Sequence, residues 1–289
     1  MKVLQQLLFI TAAAVIITSC KKNDGTPVPT DPATAVTLMN VSYGIDAAQK
    51  MDIYLPAGRT STATKSMIII HGGAWTIGDK SELNPFIDSL KRRMPDYAIF
   101  NINYRLATGS ANFFPTQEND VKAAIEFIYN KRGEYVVSDK FVLNGQSAGG
   151  HLALLYAYKY TSPVKIKAVV DFFGPTDMVD LYNNPGSVNP SLLALIVGGT
   201  PVTAPSLYQQ SSPINFVTAQ CSPTIILQGG QDLLVNPTTQ SLALKNKLVT
   251  AGAINQYVFY PTGGHGDWNG PTYADAFNNI QVFLAANVQ

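Results

Sequence analysis

A chain of 289 residues with 20 Lys and Arg against 19 Asp and Glu has a formal charge of +1, too small a basic excess to suggest nucleic acid or another polyanion as partner. Its two cysteines, Cys20 and Cys221, exclude a disulfide framework. Stability must therefore come from a buried core, which a chain of this length is well able to build.

Residues 1–19 contain one charge, Lys2, and an apolar stretch from Leu7 to Ile17 that runs into Thr18-Ser19-Cys20. A membrane-spanning helix needs about 20 apolar residues, and this run is shorter, with Gln5 and Gln6 on one side and Lys21 and Lys22 on the other, so it reads as a cleaved export signal. The residues ending in Cys20 resemble a bacterial lipobox, in which the cysteine is lipidated and the chain is cut just before it. That resemblance implies an exported lipoprotein, periplasmic or cell-surface, attached to the membrane only through Cys20. Without Lys2 the two signs balance at 19 each. Cys221 is then the one remaining thiol and is expected to be buried as a small hydrophobe. Residues 20–35 form a tether, since Pro27, Pro29 and Pro32 favour extended, solvated backbone. Residues 36–289 suit one α/β domain.

Along that domain, Val36 to Tyr43 and Lys50 to Leu55 alternate apolar and polar residues, which predicts an antiparallel pair joined through Asp46-Ala47-Ala48. A short, wholly apolar run follows at Met67 to Ile70, and the same buried-strand signature recurs at Ala98 to Ile102, Lys140 to Leu143, Ala168 to Phe172, Thr224 to Leu227 and Gln256 to Tyr260. Such runs are strands buried on both faces. Helical spacing lies between them at Ser81 to Arg93, Thr116 to Lys131, Ser147 to Tyr160, Thr238 to Ala251 and Thr272 to Ala285. The alternation predicts a mostly parallel, doubly wound sheet. Met178 to Val217 is longer than a crossover requires and is expected to be a lid-like insertion or a helical cover on the sheet.

Gly145-Gln146-Ser147-Ala148-Gly149 follows the apolar Phe141-Val142-Leu143 and opens into a helical sequence, the context of a nucleophile elbow. Ser147 is the candidate nucleophile. The next helix turns its N-terminus toward the site, so the Ala148 amide is a candidate oxyanion donor. His71-Gly72-Gly73-Ala74-Trp75 follows an earlier strand, where α/β-hydrolases keep their other oxyanion donors, and assigns that role to the Gly73 and Ala74 amides. His71 is read as a brace for this loop, and Trp75 as a wall of the acyl pocket or ordinary core.

Three histidines are available. With His71 in the loop and His151 one turn past Ser147, expected to point away from the substrate, His265 is left as general base, in Gly263-Gly264-His265-Gly266 after the last strand. The acid should lie between Ser147 and His265 in chain order, beyond the end of a strand. Asp232, after Thr224 to Leu227, fits, and Asp177 is its rival, otherwise organising entry to the insertion. Arg105 and Asp120 are read as a structural pair. No metal-ligand cluster or phosphate loop occurs, and no cofactor is implied.

Val41-Ser42-Tyr43-Gly44, Met51 to Pro56, His71 to Lys80 and Asn103-Tyr104-Arg105-Leu106 together resemble a bacterial α/β-hydrolase family that includes bifunctional acetylxylan and feruloyl esterases. The similarity runs from about Val36 to the C-terminus and takes in Gly145 to Gly150, Asp232 and His265. It implies the α/β-hydrolase fold and a carboxylic ester hydrolase acting on a small ester or an acylated plant glycan. Kynurenine-formamidase-like hydrolases share an HGG-type loop, so an amide hydrolase is an alternative. A non-catalytic lipoprotein using the fold to bind glycan or protein is another.

Overall fold

The computed structural model describes residues 31–289. The expected signal segment, Cys20 and nearly all of the expected tether lie outside these residues.

Eight strands form one sheet: β1 (Val36–Ser42), β2 (Lys50–Leu55), β3 (Lys65–Ile70), β4 (Tyr97–Ile102), β5 (Phe141–Gln146), β6 (Ala168–Phe172), β7 (Thr224–Gly229) and β8 (Asn255–Tyr260). Their order across the sheet is β1-β2-β4-β3-β5-β6-β7-β8, with β2 antiparallel to both neighbours and all pairs from β4 to β8 parallel. The expected antiparallel edge and parallel body are both present. Helices α1 (Asn84–Arg93), α2 (Thr116–Tyr135), α3 (Ala148–Lys159), α7 (Ala243–Ala251) and α8 (Gly270–Asn287) cover the sheet. The period of two in β3 divides its residues between the two faces. Met67 and Ile69 pack with α1 and α8, and Ile68 and Ile70 pack in the core shared with α2 and α3. All four are fully buried, and each stabilises the fold by roughly 1.5–3 kcal/mol relative to exposure.

Among the boundaries that differ from expectation, three have a clear physical cause. Helix α2 continues past Lys131 to Tyr135 and ends at Val136 in the left-handed region at φ 55°, because Tyr135 buries its ring against Phe100. Strand β5 runs on to Gln146, held by parallel pairing to both β3 and β6. The stretch from Thr238 is not one helix: Pro237–Leu242 forms a wide π-type turn before α7, stabilised by Asn236, whose side chain accepts from the Thr238 and Thr239 amides. Cys221 is half-buried rather than buried, its Sγ accepting from the Thr218 amide at 3.2 Å.

Residues 178–217 form three short helices, α4 (Met178–Asn183), α5 (Pro190–Val197) and α6 (Pro205–Gln210), then a 3₁₀ turn. Buried polar contacts fix them to the body. Gln240 accepts from the Thr176 and Asp177 amides and donates to Asp180, and Ser212 accepts from the Met178 amide. Asp177 caps α4, its carboxylate accepting from the Val179 and Asp180 amides.

Two ion pairs, one buried and one with a partly exposed arginine, secure the antiparallel edge. Lys80 meets Asp52 at 2.8 Å, and Asp52 also accepts from the Asn40 amide. Arg105 meets Asp120 through two guanidinium nitrogens, at 2.6 and 2.9 Å, with Gln49 donating to the same carboxylate. The expected structural pairing of Arg105 with Asp120 is therefore present.

Candidate active site

The carboxyl ends of β3, β5, β6 and β7 and the loop after β8 converge on Ser147. Its backbone sits at φ 54°, ψ −121°, outside the comfortable regions for a side-chain-bearing residue, so the helix begins one residue later than its sequence pattern suggests, at Ala148. The strain is accommodated by close packing that only glycine permits. A Cβ on Gly145 would lie 2.1 Å from the Gly149 carbonyl oxygen, and one on Gly149 would lie 2.1 Å from that of Ile70. The Ser147 amide donates to the Phe172 carbonyl at 2.8 Å, which anchors the turn to β6.

The Ser147 hydroxyl donates to His265 Nε2 at 2.8 Å, and His265 Nδ1 donates to Asp232 Oδ2 at 2.7 Å. The structure thus brings together the three residues singled out in the sequence. It leaves Asp177 apart, with its carboxylate engaged in the α4 cap. Asp232 is buried and also accepts from the Leu234 amide at 2.8 Å, the Val235 amide at 2.9 Å and Gln228 Nε2 at 3.0 Å. Burial pushes its carboxyl up, but the hydrogen bond and charge of His265, followed by the Val235 and Leu234 amides, outweigh burial and hold it below its ordinary value. The His265 ring packs on Phe173 at 4.6 Å between centroids.

The loop after β3 lies directly against the elbow, since a Cβ on Gly72 would fall 3.3 Å from that of Ser147. Gly73, Ala74 and Trp75 all have positive φ, at 101°, 48° and 60°. The Gly73 and Ala74 amides have no hydrogen-bond partner among the described residues. Ala148 is in the first turn of α3, whose amides lack intrahelical acceptors. His71 braces this loop as expected: Nδ1 donates to the Gly72 carbonyl at 2.7 Å, the ring stacks on Tyr104 at 4.3 Å, and burial lowers its pKa.

Trp75 is buried, and its indole Nε1 donates to His151 Nδ1 at 3.2 Å. His151 Nε2 in turn donates to the Ser211 carbonyl at 2.7 Å. The histidine thus points away from Ser147, and it also links the Trp75 loop to the insertion. Burial takes its pKa down to about 4, which keeps the ring neutral with one nitrogen donating and one accepting.

A cleft of about 310 Å³ opens over Ser147, bounded by Ala74 and Trp75, by Leu181, Val188 and Leu192 of the insertion, and by Val235 beside Asp232. Most of this lining is aliphatic. No group of three or more His, Cys, Asp or Glu among the described residues could hold a metal ion.

Two buried polar residues escaped the sequence reading. Gln228, the last but one residue of β7, donates to both Asp232 and the Gly229 carbonyl. Asp171 lies in β6 directly behind the elbow, with Oδ1 accepting from the Gly174 amide at 3.0 Å and Oδ2 without a partner among the described residues. A single polar residue inside an otherwise apolar strand is the available signal for each.

A family model described as BD-FAE matches residues 51–248. Esterase LipQ of Mycobacterium tuberculosis is 28% identical over 245 residues, covering 76% of this chain and 57% of LipQ. The chain spans little more than half the length of the curated relatives it matches. Among solved structures, a truncated form of a carbohydrate esterase from gut microbiota gives a TM-score of 0.76 at 26% identity, covering 90% of this chain and 99% of that one. A bifunctional GH43-CE from Bacteroides eggerthii gives 0.73 at 29% identity, covering 88% of this chain and 38% of its own. With the mostly parallel α/β sheet already described and a family match over more than half its length, the chain belongs to the BD-FAE family.

Proposed function

We propose that this chain is a serine carboxylic ester hydrolase that removes acetyl or feruloyl groups from plant polysaccharide or oligosaccharide. The observation that carries this reading is the continuous hydrogen-bonded line Ser147–His265–Asp232 beside a glycine loop with free amides. Ser147 Oγ attacks the ester carbonyl carbon while His265 Nε2 takes the hydroxyl proton, and Asp232 stabilises the imidazolium that forms. The carbonyl oxygen becomes an oxyanion held by the Gly73, Ala74 and Ala148 amides, each worth about 3 kcal/mol in the transition state. The carbon–alcohol bond then breaks, and the alcohol departs with the proton from His265. Water repeats the sequence on the acyl-enzyme and releases the acid.

The aliphatic cleft against Trp75 suits the acyl group, and the carbohydrate-esterase relatives support a sugar ester as substrate. The lipobox-like residues before Cys20 support a lipid-anchored, exported location. Metabolic labelling with palmitate, abolished by Cys20→Ala, would test the anchor.

Incubation of the full chain with acetylated xylan and a feruloylated oligosaccharide should release acetate or ferulate, with Ser147→Ala slower by about 10⁴-fold or more. A fluorophosphonate should label the wild type alone. Labelling without sugar-ester turnover, or a preference for N-formylkynurenine, would overturn the substrate assignment. Absence of labelling in the folded protein would overturn catalysis itself.

A further inference from the structure

A second cavity, of about 340 Å³, lies on the other flank of the elbow. Its walls include Glu82, Phe86, Ser89, Gln146, Tyr273 and Phe277. The aliphatic cleft takes Trp75, Leu181 and Leu193 from the core beneath α2 and α3, whereas this cavity takes Leu83, Phe86 and Phe277 from the core beneath α1 and α8. Two of its wall residues adjoin the reacting groups. Gln146 immediately precedes Ser147, and the Tyr273 hydroxyl donates at 2.7 Å to the carbonyl of Gly266, the residue after His265.

The chemistry of the walls is selective. Neither the Glu82 carboxylate nor the Gln146 amide has a hydrogen-bond or ionic partner among the described residues, and the cavity wall contains no Lys or Arg. The rings of Phe86 and Tyr273 offer apolar faces beside them. A carboxylate and an amide accept hydroxyl protons, and ring faces with a negative quadrupole receive C–H groups. That combination matches a neutral, polyhydroxylated ring, and it disfavours an anionic alcohol through repulsion by Glu82. The volume is at the lower end of the roughly 300–1,000 Å³ of small-molecule sites.

The reaction needs such a place on this side. The departing alcohol oxygen must sit within hydrogen-bond reach of His265 Nε2, and the His265 ring rests on Phe173, part of the same α1 and α8 core as Phe277. With the acyl group in the aliphatic cleft, the alcohol extends toward Gln146 and Tyr273.

We infer that this cavity is the alcohol subsite, taking the sugar ring of a neutral glycan ester with Glu82 and Gln146 hydrogen-bonded to its hydroxyls. The inference rests on the sugar-ester reading above. Its test uses two acetyl esters that differ only in the alcohol, an acetylated xylo-oligosaccharide and 4-nitrophenyl acetate. The ratio of their kcat/KM values should fall about tenfold in Glu82→Ala, mainly through KM on the sugar ester, as expected for loss of a hydrogen bond to a charged group. Glu82→Gln should recover part of the ratio, and Gln146→Ala should lower it by a smaller factor. If the wild type deacetylates the sugar ester and the ratio stays within twofold in both alanine variants, the subsite is wrong and the sugar-ester reading survives. If the wild type cleaves only the aryl ester, both fall together.

Discussion

Two buried carboxylic acids at the ends of neighbouring strands respond to burial in opposite ways. Asp171 in β6 is fully enclosed and accepts one backbone hydrogen bond, from Gly174, so burial pushes its carboxyl up to about 8. Asp232, just past β7, is also buried, yet the hydrogen bond and charge of His265, followed by the Val235 and Leu234 amides, hold it below its ordinary value. Burial alone therefore yields a neutral acid behind the elbow, and a ring of donors yields an anion beside it. Only the anion can stabilise an imidazolium.

The comparison is broken most severely by removing the anion. Asp232→Asn should lower kcat by about 10³–10⁴-fold, since His265 then loses its charged partner and its tautomer. Asp171→Asn should stay within about tenfold of wild type under the same assay. Equal losses would mean that both acids serve only to hold the elbow.

A smaller effect follows from thinning the donor ring. Gln228→Leu removes one donor to Asp232 and should cut kcat by about tenfold, the scale of one hydrogen bond to a charge. Because Gln228 acts through Asp232, the double variant with Asp232→Asn should be no slower than Asp232→Asn alone. Additive losses would place Gln228 in a separate role.

A change in stability rather than rate concerns pH. Unfolded, Asp171 loses its proton near the ordinary value of 3.8, whereas in the folded chain it keeps it up to about 8. Between these values the native state binds more protons than the unfolded one, so this group's contribution to stability falls as pH rises and levels off above 8. Asp171→Asn removes that slope. Its unfolding free energy relative to wild type, measured in urea, should therefore rise between pH 5 and pH 8, with a gap on the order of a few kcal/mol. Parallel profiles would show that Asp171 is ionised in the fold.

Much of the architecture was legible along the chain because it is written in local periodicity. Wholly apolar runs such as Met67 to Ile70 mark strands covered on both faces, and the alternation in Lys50 to Leu55 marks the antiparallel edge. The elbow was legible for a similar reason, since Gly145 and Gly149 stand where a Cβ would strike backbone. Ends of elements were less legible. Tyr135 extends α2 because of the pocket its ring fills against Phe100, and strand β5 reaches Gln146 because β3 pairs with it to Gly145 and β6 to Gln146. His151 showed no sign in its helical position of the hydrogen bonds it makes to Trp75 and Ser211.

The sequence by itself determined the fold class and the residue types needed for acyl transfer, because short-range patterns of burial, glycine and chain order encode them. Only the tertiary structure decided which acid faces His265, which carboxyl stays protonated and which cavity flanks which side of Ser147. Those properties depend on distances between residues that lie far apart in the chain, such as 2.8 Å between Ser147 and His265. No local pattern specifies a distance that the register of a whole sheet must set.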